Sequence, residues 1–105
     1  DMIKSKFVYQ EQKLNQICVS GHANYKQSGE DIVCAAVSAA TLVTANAIEH
    51  LGLNQKIDLT VEDGYFKLTL NVSDSIVQGL MENLEYTLND LEKQYPKYIK
   101  NQKEG

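Results

Sequence analysis

The sequence offers few side chains able to do chemistry, and two of them are twelve residues apart: His22 and Cys34. Cys34 follows Asp31, and Asp31 stands directly before the apolar run Ile32-Val33-Cys34-Ala35-Ala36-Val37. An Asp ahead of such a run predicts a helix N-cap, which puts Cys34 at the third helical position. There the open N–H groups and the helix dipole favour a thiolate and offer donors to a developing oxyanion. The alternative for Cys34 is a buried small hydrophobe, the usual fate of a thiol. His22 follows Gly21 at the end of a predicted strand, across a polar loop from the helix start. A thiol and an imidazole brought together there make an activated nucleophile with a general acid for the leaving group; a surface loop histidine is the plainer reading. Asp31 serves equally as a cap alone or as a third group orienting the imidazole. Ser38 lies one helical turn beyond Cys34, placed either to donate near the site or to bond back onto its own helix.

The remaining candidates are weaker. Cys18 lies within a predicted strand and reads as a packing residue. Cys18, His22, Cys34 and His50 lack the paired close spacing of a zinc site, and His50, just before Gly52, suits a cation at a helix C-terminus. Gly21 and Gly29 lack the spacing and the following lysine of a phosphate loop. No metal and no cofactor is expected.

The elements that must position these groups follow from hydrophobic period. Ile3, Phe7 and Tyr9 alternate with Lys4 and Lys6, and Ile17 and Val19 share a face in 14–20, which predicts a hairpin turning near Glu11. Residues 21–30 form a polar loop. The stretch from 32 to about 51 is apolar nearly all round and predicts a helix stopped by Gly52 and covered on more than one side. Ile57, Leu59 and Val61, then Phe66, Leu68 and Leu70, flank Asp63-Gly64, a strong hairpin signal. Ser73, Asp74 or Ser75 caps a second helix with Val77, Leu80, Met81, Leu84, Leu88 and Leu91 on one face, ended by Pro96. Tyr98 and Ile99 suit a short edge strand.

The predicted architecture is α+β, a two-layer sandwich in the order β-β-α-β-β-α with a short C-terminal strand. One domain spans 2–100, followed by a tail at 101–105. The apolar surface left on the first helix predicts a homodimer. With 105 residues, 10 basic and 14 acidic, the chain carries a net charge of −4. That balance argues against a direct nucleic-acid or anionic-membrane partner, and no apolar run is read as a membrane span. Two cysteines are too few for a disulfide scaffold, so a cytoplasmic setting is expected.

Two blocks are specific in combination, Gly21-His22-Ala23 and Gly29-Glu30-Asp31-Ile32-Val33-Cys34-Ala35-Ala36-Val37-Ser38-Ala39, and Asn46-Ala47-Ile48 follows them. With the length and element order, they resemble the ribosomal-processing cysteine protease family, Prp. The resemblance implies a homodimeric endopeptidase that removes the N-terminal extension of the large-subunit ribosomal protein numbered twenty-seven, typically after an aromatic residue. It implies Cys34 as nucleophile and His22 as base, with Asp31 and Ser38 supporting them. Gly21, Ala23, Asn24, Tyr25, Lys26, Gln27, Ser28 and Gly29 would belong to a flap over the bound peptide. A non-catalytic ribosome-associated binding protein of the same fold is the rival reading.

Overall fold

The computed structural model describes residues 2–22 and 30–105. Strands β1 (Ile3–Gln10) and β2 (Lys13–Ser20) are followed by α1 (Glu30–His50), a short 3-10 turn, β3 (Ile57–Glu62), β4 (Tyr65–Leu70), α2 (Ser75–Gln94) and β5 (Ile99–Glu104). The strands form one sheet in the order β3-β4-β2-β1-β5. All neighbours are antiparallel except β1 and β5, which run parallel. The α+β two-layer expectation holds.

Alternation decides which face is covered. Ile3, Phe7, Leu14, Ile17, Val19, Phe66 and Leu68 point to the helices and are buried, together with Val33, Val37 and Ile48 of α1 and Val77, Met81, Leu84 and Leu88 of α2. Each fully buried aliphatic or aromatic side chain of this kind contributes about 1.5–3 kcal/mol. Leu14 and Ile17 break the period of two, yet both face inward, because the β1–β2 register shifts between Val8 and Tyr9. A bulge there returns both residues to the core. The hairpin turn places Glu11 and Gln12 at φ 50° and 68°, the left-handed pair that matches strand twist but is ordinarily filled by Asn-Gly.

The punctuation residues act as their chemistry predicts. Gly52, at φ 74°, ends α1: its N–H reaches the Glu49 carbonyl at 2.9 Å and Leu53 N–H reaches the Ile48 carbonyl at 3.0 Å, a Schellman closure. Asp74 is the cap of α2, accepting from the N–H groups of Ile76 and Val77 at 3.0 Å each.

Three expectations need correction. First, α1 opens at Glu30, so Asp31 is its second residue rather than its N-cap, and Cys34 is the fifth residue rather than the third. The cap position falls at 29, outside the described residues. By helix geometry the open N–H groups of the first turn belong to residues 30–32, ahead of Cys34. Second, the expected tail at 101–105 is mostly strand: β5 continues to Glu104, and Asn101 anchors it to α2 through Glu92, Leu88 and Asn89. Third, Asp31–His50 is long and apolar enough to cross a membrane by length and composition. That helix packs against α2 and buries Val33, Cys34, Val37, Ala45 and Ile48 in the core, as the core helix of a globular domain does.

Candidate active site

Gly21 is the first device that builds the site. Its φ is 88°, and a Cβ added there would lie 2.8 Å from the Met2 carbonyl oxygen, so any other residue meets both strain and the backbone of β1. Its N–H donates to the Gly64 carbonyl at 2.9 Å, tying the end of β2 to the tip of the β3–β4 hairpin. The chain therefore leaves the sheet at one fixed point, and the next residue, His22, is turned under α1.

There the ring is held. His22 Nδ1 lies 3.0 Å from Ser38 Oγ, and Ser38 Oγ makes a longer contact of 3.5 Å with the His22 carbonyl oxygen. When the serine donates to that carbonyl, its oxygen accepts from Nδ1–H. The proton is then on Nδ1 and the lone pair on Nε2, the tautomer a general base needs. Nε2 is buried and has no partner among the described residues. Burial holds the imidazole pKa below its ordinary 6.5, with the nearby Asp63 charge opposing the shift.

Cys34 is on the same helical face as Ser38, four residues earlier, so the two stand about one turn apart along α1. Anchoring the ring to Ser38 consequently keeps it on the face that carries the thiol. Cys34 is 2% and His22 7% exposed, so both reactive groups are withdrawn from solvent. Ser38 does not bond back onto α1, the alternative open for it in the sequence. Thr41 and Thr44 do so instead, donating to the Ser38 and Ala40 carbonyls, and the serine hydroxyl is left for the histidine.

The other sequence candidates fall elsewhere. Asp31 is exposed on the first turn of α1. Cys18 is not a core residue: it is half-buried on the sheet face opposite the helices, where its thiol donates to the Tyr65 hydroxyl at 3.4 Å. His50 is exposed in the last turn of α1. Gly21 of the expected flap is described above; Ala23, Asn24, Tyr25, Lys26, Gln27, Ser28 and Gly29 lie outside the described residues. What the sequence did not single out is the wall facing His22. Val61, Glu62, Asp63 and Gly64 from the hairpin join His22, Ser38, Thr41, Leu42 and Phe66 around a cleft of about 290 Å³.

A thiol and an ordered imidazole on one helix face are the equipment of a thiol hydrolase, and the comparisons agree. The family model described as cysteine protease Prp matches residues 2–100. The chain belongs to the Prp cysteine protease family. Among curated Prp relatives, the ribosomal processing cysteine protease Prp of Staphylococcus aureus (strain Mu50) is 29% identical over 97 residues, covering 89% of this chain and 90% of its own. The protein of the same name from Bacillus subtilis (strain 168) is 31% identical over 83 residues, covering 73% and 74%. In structure, the chain is similar to the essential ribosomal processing protease Prp from S. aureus in complex with a covalently linked product peptide. The TM-score is 0.81 at 26% identity, over 98% of this chain and 100% of that one. As a Prp family member the chain is a cysteine protease.

Proposed function

We propose that this protein is the endopeptidase that removes the N-terminal extension of the large-subunit ribosomal protein numbered twenty-seven, working in the cytoplasm as a homodimer through a Cys34–His22 dyad. The observation that carries the reading is the imidazole fixed through Nδ1 to Ser38, its Nε2 without a partner among the described residues, on the helix face of Cys34. His22 Nε2 takes the thiol proton, and Cys34 Sγ attacks the scissile carbonyl to give a tetrahedral oxyanion. Collapse expels the amine, which receives the proton from His22, and leaves a thioester on Cys34. Water then loses a proton to His22 and attacks the thioester, releasing the new carboxylate and regenerating the thiol. Ser38 is a positioning residue, setting tautomer and ring orientation. Asp31, exposed at the start of α1, adds negative charge where the dipole favours it.

The test is incubation with a synthetic peptide spanning the extension and the mature N-terminus of that ribosomal protein, read by mass spectrometry. Two fragments from a single cut after an aromatic residue are expected; an uncut peptide contradicts the reading.

The dimer rests on a second observation. Ile32, Leu42 and Val43 are 63%, 45% and 67% exposed on one side of α1, with Ala35 and Ala39 between them, an apolar stripe of the kind that marks an interface. Val43→Glu is expected to shift the protein from dimer to monomer in sedimentation equilibrium. A wild-type monomer at tens of micromolar refutes the dimer.

A further inference from the structure

Among the described residues four buried side-chain polar atoms have no hydrogen-bond partner: His22 Nε2, Ser5 Oγ, Glu85 Oε2 and Asn101 Oδ1. The first belongs to the dyad. The other three fall in one place, between α2 and the strands β1 and β5. Ser5 and Asn101 are direct partners across the parallel β1–β5 pair, on the side facing the helices. Asn101 Nδ2 donates to the Leu88 carbonyl at 2.9 Å and to Asn89 Oδ1 at 3.0 Å. Those bonds hold its amide against the turn of α2 that follows Glu85. Glu85, Asn89 and Asn101 line one cavity of about 250 Å³.

Charge makes this cluster more than a packing defect. Glu85 is 8% and Ser5 2% exposed. Glu85 Oε1 accepts from the Tyr9 hydroxyl at 2.6 Å. That donor is neutral and stays protonated, since burial and the carboxylate beside it push the Tyr9 pKa up to about 12. No ammonium closes the pair. Lys103 lines the same cavity, but its Nζ lies over the Tyr9 ring, 4.8 Å from the centroid, and forms no ion pair with Glu85. Buried carboxylates are paired with a cation or ligate one, because an isolated charge is costly to take out of water. The unpartnered atoms here are all oxygens, from a carboxylate, an amide and a hydroxyl, and such oxygens are the donor set of a hard cation. One negative charge among neutral oxygens, with an ammonium nearby, suits a single positive charge rather than two.

We propose that Glu85, Asn101 and Ser5 bind a monovalent cation of the sodium or potassium class, which ties α2 to β1 and β5. No close spacing in the chain announces this site, because three separate elements supply its oxygens. It is independent of the dyad. A bound ion stabilises the folded chain by mass action and holds β5 in the sheet. A water molecule would satisfy the same oxygens but leave the charge uncompensated, and this difference can be measured.

The experiment is thermal melting at pH 8 and constant ionic strength, with choline chloride replaced stepwise by sodium, potassium, magnesium or calcium chloride. Sodium or potassium should raise the Tm saturably, by about 5 °C at roughly tenfold the half-saturating concentration. Glu85→Gln keeps the shape of the side chain and an oxygen to accept from Tyr9. It should lose the rise, and in choline alone it should melt above the wild type. Ser5→Ala removes a hydroxyl that makes no bond within the chain. It should fold normally and need several-fold more of the same ion. Broadening of the sodium-23 NMR line by the wild type, absent with Glu85→Gln, reads binding apart from stability. The same Tm in choline and in every salt overturns the site and leaves a water or a proton on Glu85. A rise shared equally by Glu85→Gln is a general salt effect and overturns it too. So does a response confined to magnesium or calcium. A response that appears only in Lys103→Met makes that lysine the native counter-ion, again against the proposal.

Discussion

Cys34→Ala is expected to abolish cleavage, with a loss on the order of 10⁴-fold or more in kcat/KM, and to leave the fold in place. The second half of that statement gives the first its force. Cys34 is packed in the core cluster among Val33, Val37 and their sheet partners, so the thiol has two conceivable roles, packing and nucleophile. A packing role predicts a change in stability alone: replacing the sulfur by hydrogen removes one buried heavy atom, at about 1 kcal/mol, and leaves turnover untouched. A nucleophile predicts the reverse weighting. Without the sulfur no thioester forms, and the remaining donors and the bound imidazole cannot divide the reaction into two steps. Mass spectrometry of the peptide after prolonged incubation, beside thermal melting of the same sample, separates the two. Continued cutting by a folded Cys34→Ala protein refutes the mechanism. Cys34→Ser is the weaker control, since a hydroxyl in the same place can retain slow activity.

What could be read in the chain and what could not divide along physical lines. Period and punctuation were sufficient wherever the inward positions are apolar and the stop residues have one conformational use. Phe66 and Leu68 alternating across Asp63-Gly64 fixed a hairpin, Asp74 capped α2, and Gly52 closed α1. The last strand was expected at Tyr98 and Ile99, but its length escaped because its inward positions are Ile99, Asn101 and Lys103, paired with Ile3, Ser5 and Phe7. Only the first is apolar, so no alternation shows, and the strand is held instead by the Asn101 bonds to α2. The start of α1 was misplaced because Asp31 is as acceptable inside a first turn as before it. At the site, the spacing of His22 and Cys34 was visible, but the tether between His22 and Ser38 was not. Nothing local distinguishes a helix serine that bonds back from one that faces a ring sixteen residues earlier in the chain. The acidic hairpin end was legible as a turn only. Its place beside His22 depends on the Gly21–Gly64 hydrogen bond, a contact between strand ends distant in sequence.

His22→Ala should lower kcat/KM by about 10²- to 10⁴-fold, the range for removing a positioned general acid–base group, and its pH behaviour identifies why. In the folded protein, burial keeps the imidazole pKa below 6.5, against the opposing pull of Asp63. At pH 7 the ring is therefore neutral and its Nε2 lone pair is ready to accept the thiol proton. The same shift links protonation to stability. Just below pH 6.5 the unfolded chain binds a proton at His22 that the folded chain does not, so stability falls as pH drops from 6.5 toward the folded pKa. Above pH 6.5 the contribution is complete. Urea unfolding between pH 7.5 and 5 should show this slope in the wild type and its reduction in His22→Ala. An NMR titration of the His22 ring should place its midpoint below 6.5, and lower still in Asp63→Asn, because removing that carboxylate withdraws the one opposing charge. A midpoint at or above 6.5 in the wild type would mean that the ring is solvated, and the buried, Ser38-held base would lose its physical foundation.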